Sequence, residues 1–294
     1  MRIFLIALGI AAIAPMSAEE PRVRWGTTGH EMAARAAVAS LPPRVPDFFR
    51  DAGEQLAYLD PEPDRWRVRS LPEMDRAFEY DHFIDLENVP EGALDARDRF
   101  QYLRRLYAAG LDRPENDAGF LPFRIVELYG RLVTEWRLWR RETDPTRRRW
   151  IEARIINDAG ILGHYVTDGA NPHHTTIHYN GWARGVANPE GFTDDRTFHG
   201  RFEADFVAAH VTQAEVTRRT AAPRPLNGSA REAVMAFLHT SHALVGEIYR
   251  LDRDIGFDPD GPSRPETVGF ATERLASGAG MLSVLWLAAW EESG

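Results

Sequence analysis

The chain has no cysteine among its 294 residues. No disulfide can staple it and no lipid can be attached through a cysteine, so the core, with any bound metal, must hold the fold unaided. Lysine is also missing: all 35 basic residues other than histidine are arginine, which rules out a lysine base or Schiff-base chemistry. No apolar run reaches the ~18–20 residues that span a bilayer. Nor is there an excess of positive charge; the formal net charge is −9. That balance argues against broad electrostatic capture of nucleic acid, although clustered cations can supply positive charge locally. Convincing strand patterns and repeats of 20–50 residues are absent too.

What is present begins with a leader. Met1-Arg2, the short apolar run Ile3 to Ala14 and Pro15-Met16-Ser17-Ala18 have the form of a secretory signal peptide cleaved after Ala18. The expected organisation is a signal peptide over 1–18, a short extension or propeptide over 19–24, and one domain over 25–294. Such a protein is expected to be exported, to the periplasm or the medium, with a mature net charge of about −10 once Arg2 is lost.

Helical periodicity dominates the rest. Thr28-Gly29-His30-Glu31 reads as a capping box opening a helix through Leu41, and Ser229-Ala230-Arg231-Glu232 as another opening a helix through Tyr249. Phe48, Phe49, Leu56 and Leu59 suggest a second helix, and Phe100, Leu103, Leu106 and Tyr107 a third. Ile125, Leu128, Leu132, Trp136 and Trp139 form an apolar stripe whose tryptophans are expected to pack rather than stack on bases. Further helices are expected from about Arg147 to Asp168, from His199 to about Arg219, and from Glu266 to Trp290. Pro/Gly-rich breaks at 112–122, 183–195, 221–228 and 256–265 read as loops. The sequence predicts a single all-α, multi-helix domain.

The most telling segment is Gly163 to His174, which carries His164, Asp168 and His174 at H-x3-D-x5-H spacing. Residues four apart share a helix face with Cβ atoms ~5–6 Å apart, so His164 and Asp168 point into one space. Asn171-Pro172 then breaks the helix and lets His174 return from another direction. His199 and Glu203 repeat the i, i+4 device. Imidazole paired with carboxylate is the usual ligand set of hydrolytic zinc, and two such pairs suggest a polynuclear centre. Upstream candidates are His30, at the start of the first helix and expected to project from that element end rather than from a buried face, and His82 within Glu79-Tyr80-Asp81-His82-Phe83-Ile84-Asp85. A further carboxylate would come from Asp64, with Asp60 as competitor.

The ordered set Trp25-Gly26-x-x-Gly29-His30, Asp64-x-x-Arg67, His82-Phe83-Ile84-Asp85, His164-x3-Asp168-x5-His174 and His199-x3-Glu203 resembles the superfamily of zinc-dependent phospholipase C and the single-strand-specific zinc nucleases. It runs in order from residue 25 to 203. The resemblance implies an all-α fold enclosing a trinuclear zinc site. By position, Asp64, His82, His164 and Asp168 would hold one ion and His174, His199 and Glu203 a second. His30, Asp168 and the main chain of Trp25 would hold a third, with Asp168 bridging two ions.

The implied chemistry is phosphoric ester hydrolysis. A phosphodiester is anionic and repels hydroxide, whereas zinc lowers the pKa of bound water to about 7 and neutralises charge on phosphate and leaving oxygen. Asp64 and Asp168 are the candidate catalytic carboxylates, orienting the attacking water. Three features depart from the family pattern: the extension Glu19 to Arg24 precedes a tryptophan expected at the mature N-terminus unless Arg24-Trp25 is cut, disulfides are lacking, and the segment from His174 to His199 is long.

For substrate, the short Trp25-to-His30 spacing resembles the nucleases, while Glu203 and the absence of cysteine resemble phospholipase C. Single-stranded nucleic acid or nucleotides stand slightly ahead of phospholipid head groups. A noncatalytic zinc-binding or scavenging protein is the alternative from another class, with His173, His174 and His178 in an exposed capture loop. His173 and His178 could otherwise touch substrate; His210, His239 and His242 are assigned to helix surface or core, and Arg147, Arg148 and Arg149 to a solvated helix start.

Overall fold

The computed structural model describes residues 26–294. The leader over 1–18, the extension over 19–24, Trp25 and the Arg24-Trp25 bond lie outside the described residues. Among those described there is no β-strand, and the helices close around one core. The expected all-α, single-domain architecture is therefore found.

Six helices position the centre: α1 (Gly26–Ser40), α2 (Gly53–Leu59), α3 (Leu121–Arg141), α4 (Pro145–Ala170), α5 (Ala230–His242) and α6 (Pro265–Glu292). Helix α4 is the axis of the fold, contacting α1, α2, α3, α5 and α6. Its N-terminus is set by Asp144, whose side chain accepts hydrogen bonds from the amides of Thr146 and Arg147, followed by Pro145 at the first helical position. From Ala159 to Ala170 every residue is buried. A helix enclosed on all sides cannot show a narrow apolar stripe, and its polar residues must find partners inside.

Close approach to α4 depends on missing side chains. A Cβ at Gly160 would lie 2.4 Å from the Leu59 Cβ, and one at Gly163 would lie 2.2 Å from Asp60 Oδ2. These two glycines let the end of α2 settle directly on α4, which carries Asp60 inward. The other end of the bundle is an aromatic block: Trp136 meets Trp290 at 5.0 Å and Trp139 at 5.8 Å between ring centroids, and Phe49 meets Trp286 edge-on at 5.3 Å. Trp136 is 1% exposed, so the packing role expected of this stripe holds.

Several local expectations change. The first helix starts at Gly26, so Thr28 sits inside it and forms no capping box. Ser229 does form one, reciprocally with Glu232. The helix expected to run on to Tyr249 is two, α5 and Val245–Asp254, broken after His242. Phe48 to Leu59 likewise splits into Asp47–Arg50 and α2, and the 112–122 break contains the short helix Pro114–Ala118. The run from His199 to Arg219 is interrupted twice. A wide π turn occupies Arg201–Phe206, and the chain leaves the helix after His210 before Thr212 caps Gln213–Arg219.

Candidate metal centre

Six segments of the chain, α4 among them, meet at the C-terminal end of α4. Helix α4 supplies His164 and Asp168, one turn apart. Asn171 ends the helix, its Oδ1 accepting from the His173 amide, and the short turn Pro172–Thr175 presents His174. Helix α1 supplies His30 from its second turn, the turn Tyr80–His82 supplies His82, and the short helix Glu62–Arg65 supplies Asp64. The Phe198–His210 run supplies His199 and Glu203. Within its π turn the neighbours Phe202 and Glu203 are both fully buried.

Three groups of potential ligands result: Asp64 with His82 and His164, His174 with His199 and Glu203, and His30 with His164 and Asp168. Asp168 is the hub. Its Oδ2 lies 3.0 Å from His82 Nδ1 and 3.3 Å from His164 Nε2, and its Oδ1 lies 3.5 Å from His30 Nε2 and 3.7 Å from His174 Nε2. Asp64 Oδ1 stands 3.9 Å from His164 Nε2 and 4.0 Å from His82 Nδ1. In the other group, His199 Nε2 is 3.2 Å from His174 Nε2 and 2.7 Å from Glu203 Oε2, and His174 Nε2 is 3.3 Å from the same oxygen.

These spacings suit a divalent cation. Nitrogen ligands ~2.0–2.1 Å from a tetrahedral ion lie about 3.4 Å from one another. The His82–His164 and His174–His199 nitrogen pairs, at 3.0 and 3.2 Å, approach that edge. Two lone-pair nitrogens so close repel unless a proton or a cation stands between them. Polar atoms left without partners point the same way: His30 Nε2 and Glu203 Oε1 are buried and make no hydrogen bond within the protein. Burying such atoms unpaired is costly, and a cation would satisfy them.

Around these groups sits a layer of positioning contacts. His30 Nδ1 meets Asp60 Oδ1 at 2.7 Å, His174 Nδ1 meets the His82 carbonyl at 2.7 Å, and Asn171 Nδ2 donates to Glu203 Oε2 at 3.1 Å. Metal-binding histidines commonly hold a carboxylate or carbonyl with the second ring nitrogen, which fixes tautomer and ring direction. Of the two competing carboxylates, Asp64, 22% exposed, faces His82 and His164, while Asp60 is fully buried behind His30.

The electrostatics are divided. Burial pushes His30 down to about 3 and holds His164 well below the usual imidazole range, so both are neutral and ready to donate a lone pair. Burial, reinforced by neighbouring carboxylates, raises Asp60 well above its ordinary value; burial does the same to Asp168 despite the opposing charge of His174. His174 goes the other way: burial lowers it, but Asp168 and Glu203 outweigh burial and lift it to about 9. Glu203 is held well below the carboxylate range, since His199 and His174 overcome its burial.

Three readings of single histidines are corrected. His30 does not project from a helix end; it is 1% exposed and stacked on His164 at 4.2 Å. His173, fully buried between Phe198, Phe202 and Tyr249, is out of reach of substrate, and His178 is 6% exposed and stacked on Trp182 at 3.6 Å. The exposed capture loop that a scavenging role needs is therefore not formed. The positioning roles of Asn171 and the His82 carbonyl escape sequence reasoning; Asn immediately before the helix-breaking Pro172 was the only local signal. Compared with family models, curated proteins and solved structures, the chain finds no match.

Proposed function

We propose that this chain is a zinc-dependent phosphodiester hydrolase of the phospholipase C and single-strand nuclease type, holding three zinc ions and acting on single-stranded nucleic acid or nucleotides. One observation carries the reading: a single buried carboxylate, Asp168, faces His30, His82, His164 and His174 within 3.0–3.7 Å, a crowding of imidazoles that shared cations would make favourable. The ligands would be Asp64, His82, His164 and Asp168 for one ion, His174, His199 and Glu203 for a second, and His30 with Asp168 for a third, joined by the main chain of Trp25. Zinc bound there would bring water within reach of ionisation near neutral pH and offset the phosphate charge.

The chain's own residues do the rest. Asp64 is the most exposed of the ligand carboxylates, and so stands where an entering water can be hydrogen-bonded and aimed. Asp168 holds four imidazoles in one arrangement. Asp60, Asn171 and the His82 carbonyl keep ring planes and the Glu203 carboxylate from rotating, so the site is organised before substrate arrives.

The deciding experiment is elemental analysis of native protein followed by assays on single-stranded DNA, RNA and phosphatidylcholine, before and after chelation. Cleavage of single strands that is lost on chelation and restored by zinc is expected. Cleavage untouched by chelation, or protein free of metal, overturns the mechanism; cleavage of phosphatidylcholine alone transfers it to phospholipid head groups.

A further inference from the structure

We propose that the tip joining α3 to α4 is a docking surface for a single-stranded nucleic-acid backbone, an inference that rests on the nuclease reading above. Residues 137–150 carry six arginines against two acids in a chain whose net charge is −9. The two acids are held by main-chain amides, Asp144 capping α4 and Glu142 accepting from Thr143 and Asp144, and six arginines against two acids leave a local excess of four positive charges. Arg140 lies over the Trp290 ring at 3.4 Å, Arg148 lies over Trp139 at 3.8 Å, and Arg137 reaches Glu292 at 3.7 Å. Arg141, Arg147 and Arg149 are exposed and make no ion pair among the described residues. They form a positive spot on an acidic protein.

Two further observations favour a ligand over a solvated helix start. The first turn of α4 holds no acid. Arg147, Arg148 and Arg149 crowd the positive end of the helix dipole against the single charge of the N-cap Asp144, a placement that a further anion would relieve. Beside them Trp150 is 64% exposed and Leu138 43% exposed. Unpartnered arginines around an exposed indole combine backbone neutralisation with base stacking, the two contributions used to hold single strands.

The helix itself sets the distance. From Arg147 to His164 along α4 is about 26 Å at 1.5 Å per residue. That is about eight nucleotides at a stacked rise of ~3.4 Å. A strand of at least that length has the reach to touch the tip and the metal centre together; a single lipid head group has not.

The test compares wild type, Arg147→Ser/Arg149→Ser and Trp150→Ala in their zinc-loaded form. Binding of a cleavage-resistant phosphorothioate dT oligomer of about 20 nucleotides is measured by anisotropy across a salt series, and cleavage is measured on the matching phosphodiester and on a trinucleotide. The arginine variant should weaken oligomer binding and lower the salt slope by about 1.4, since each lost phosphate contact on a single strand is worth about 0.7. Trp150→Ala should weaken it roughly tenfold at unchanged slope. Trinucleotide cleavage should not change, and the melting temperature of the arginine variant should hold or rise. Equal oligomer binding in all three proteins overturns the proposal, as does loss of binding to phosphatidylglycerol vesicles with oligomer binding intact. Should wild type cleave no nucleic acid yet the variants still lose oligomer binding, the surface stands and the nuclease reading falls.

Discussion

His30 Nδ1 and Asp60 Oδ1 stand 2.7 Å apart, with the histidine 1% and the aspartate 0% exposed. The contact turns the other ring nitrogen, His30 Nε2, toward Asp168. If His30 is a ligand as proposed, Asp60→Asn, which keeps the shape but removes the orienting carboxylate, should cost about 10- to 100-fold in metal affinity. Competition with a chromophoric zinc chelator measures it. An unchanged affinity would show that the contact only packs.

The same relationship depends on Gly163, because a Cβ there would collide with Asp60 Oδ2 at 2.2 Å. Gly163→Ala should destabilise the fold by ~1–3 kcal/mol through overpacking and weaken metal binding along with it. Thermal unfolding with and without added zinc separates the two effects: the stabilisation conferred by zinc should shrink as well as the starting stability.

Glu203 is the single carboxylate in the group with His174 and His199, and Asn171 holds its Oε2. Glu203→Gln should lower zinc content by one equivalent and leave the fold intact, since the larger group around Asp168 is untouched. Mass-spectrometric metal counting on protein dialysed against trace zinc is the check, and full occupancy in the variant would remove Glu203 from the ligand set.

Metal loading should release protons. His174, lifted to about 9, carries a proton at neutral pH, whereas His30 and His164 are already neutral. Apparent zinc affinity should therefore rise as pH rises toward about 9, at a limiting slope of about tenfold per pH unit for each proton displaced. Calorimetry in buffers of different ionisation enthalpy counts those protons. Binding without proton release contradicts the assignment.

Away from the centre, Glu135 on α3 is 2% exposed and raised to about 7, by burial first and then by Asp158 on α4. A carboxyl with a raised folded pKa binds its proton more tightly in the folded state. Its stabilising contribution is complete below about 4.5 and is lost as pH rises through about 7. Glu135→Gln cannot ionise, so its stability relative to wild type should grow from pH 5 to pH 8 in urea unfolding. A constant difference across that range would locate the pH dependence elsewhere.

Residues close along the chain were legible in the sequence. The His164/Asp168 and His199/Glu203 spacings, the Ser229 capping box, the Asn171-Pro172 break and the helical periodicity are each written within a few positions, where backbone geometry alone sets what can meet. Packing decided the remainder. The direction of His30, the division of labour between Asp60 and Asp64, the burial of His173 and the π turn before Phe206 all depend on where α1, α2 and the Phe198–His210 run come to rest against α4. No local pattern encodes a contact between residues 30 and 60 or 82 and 168; close helix approach at Gly160 and Gly163 makes the first, and burial around Asp168 makes the second.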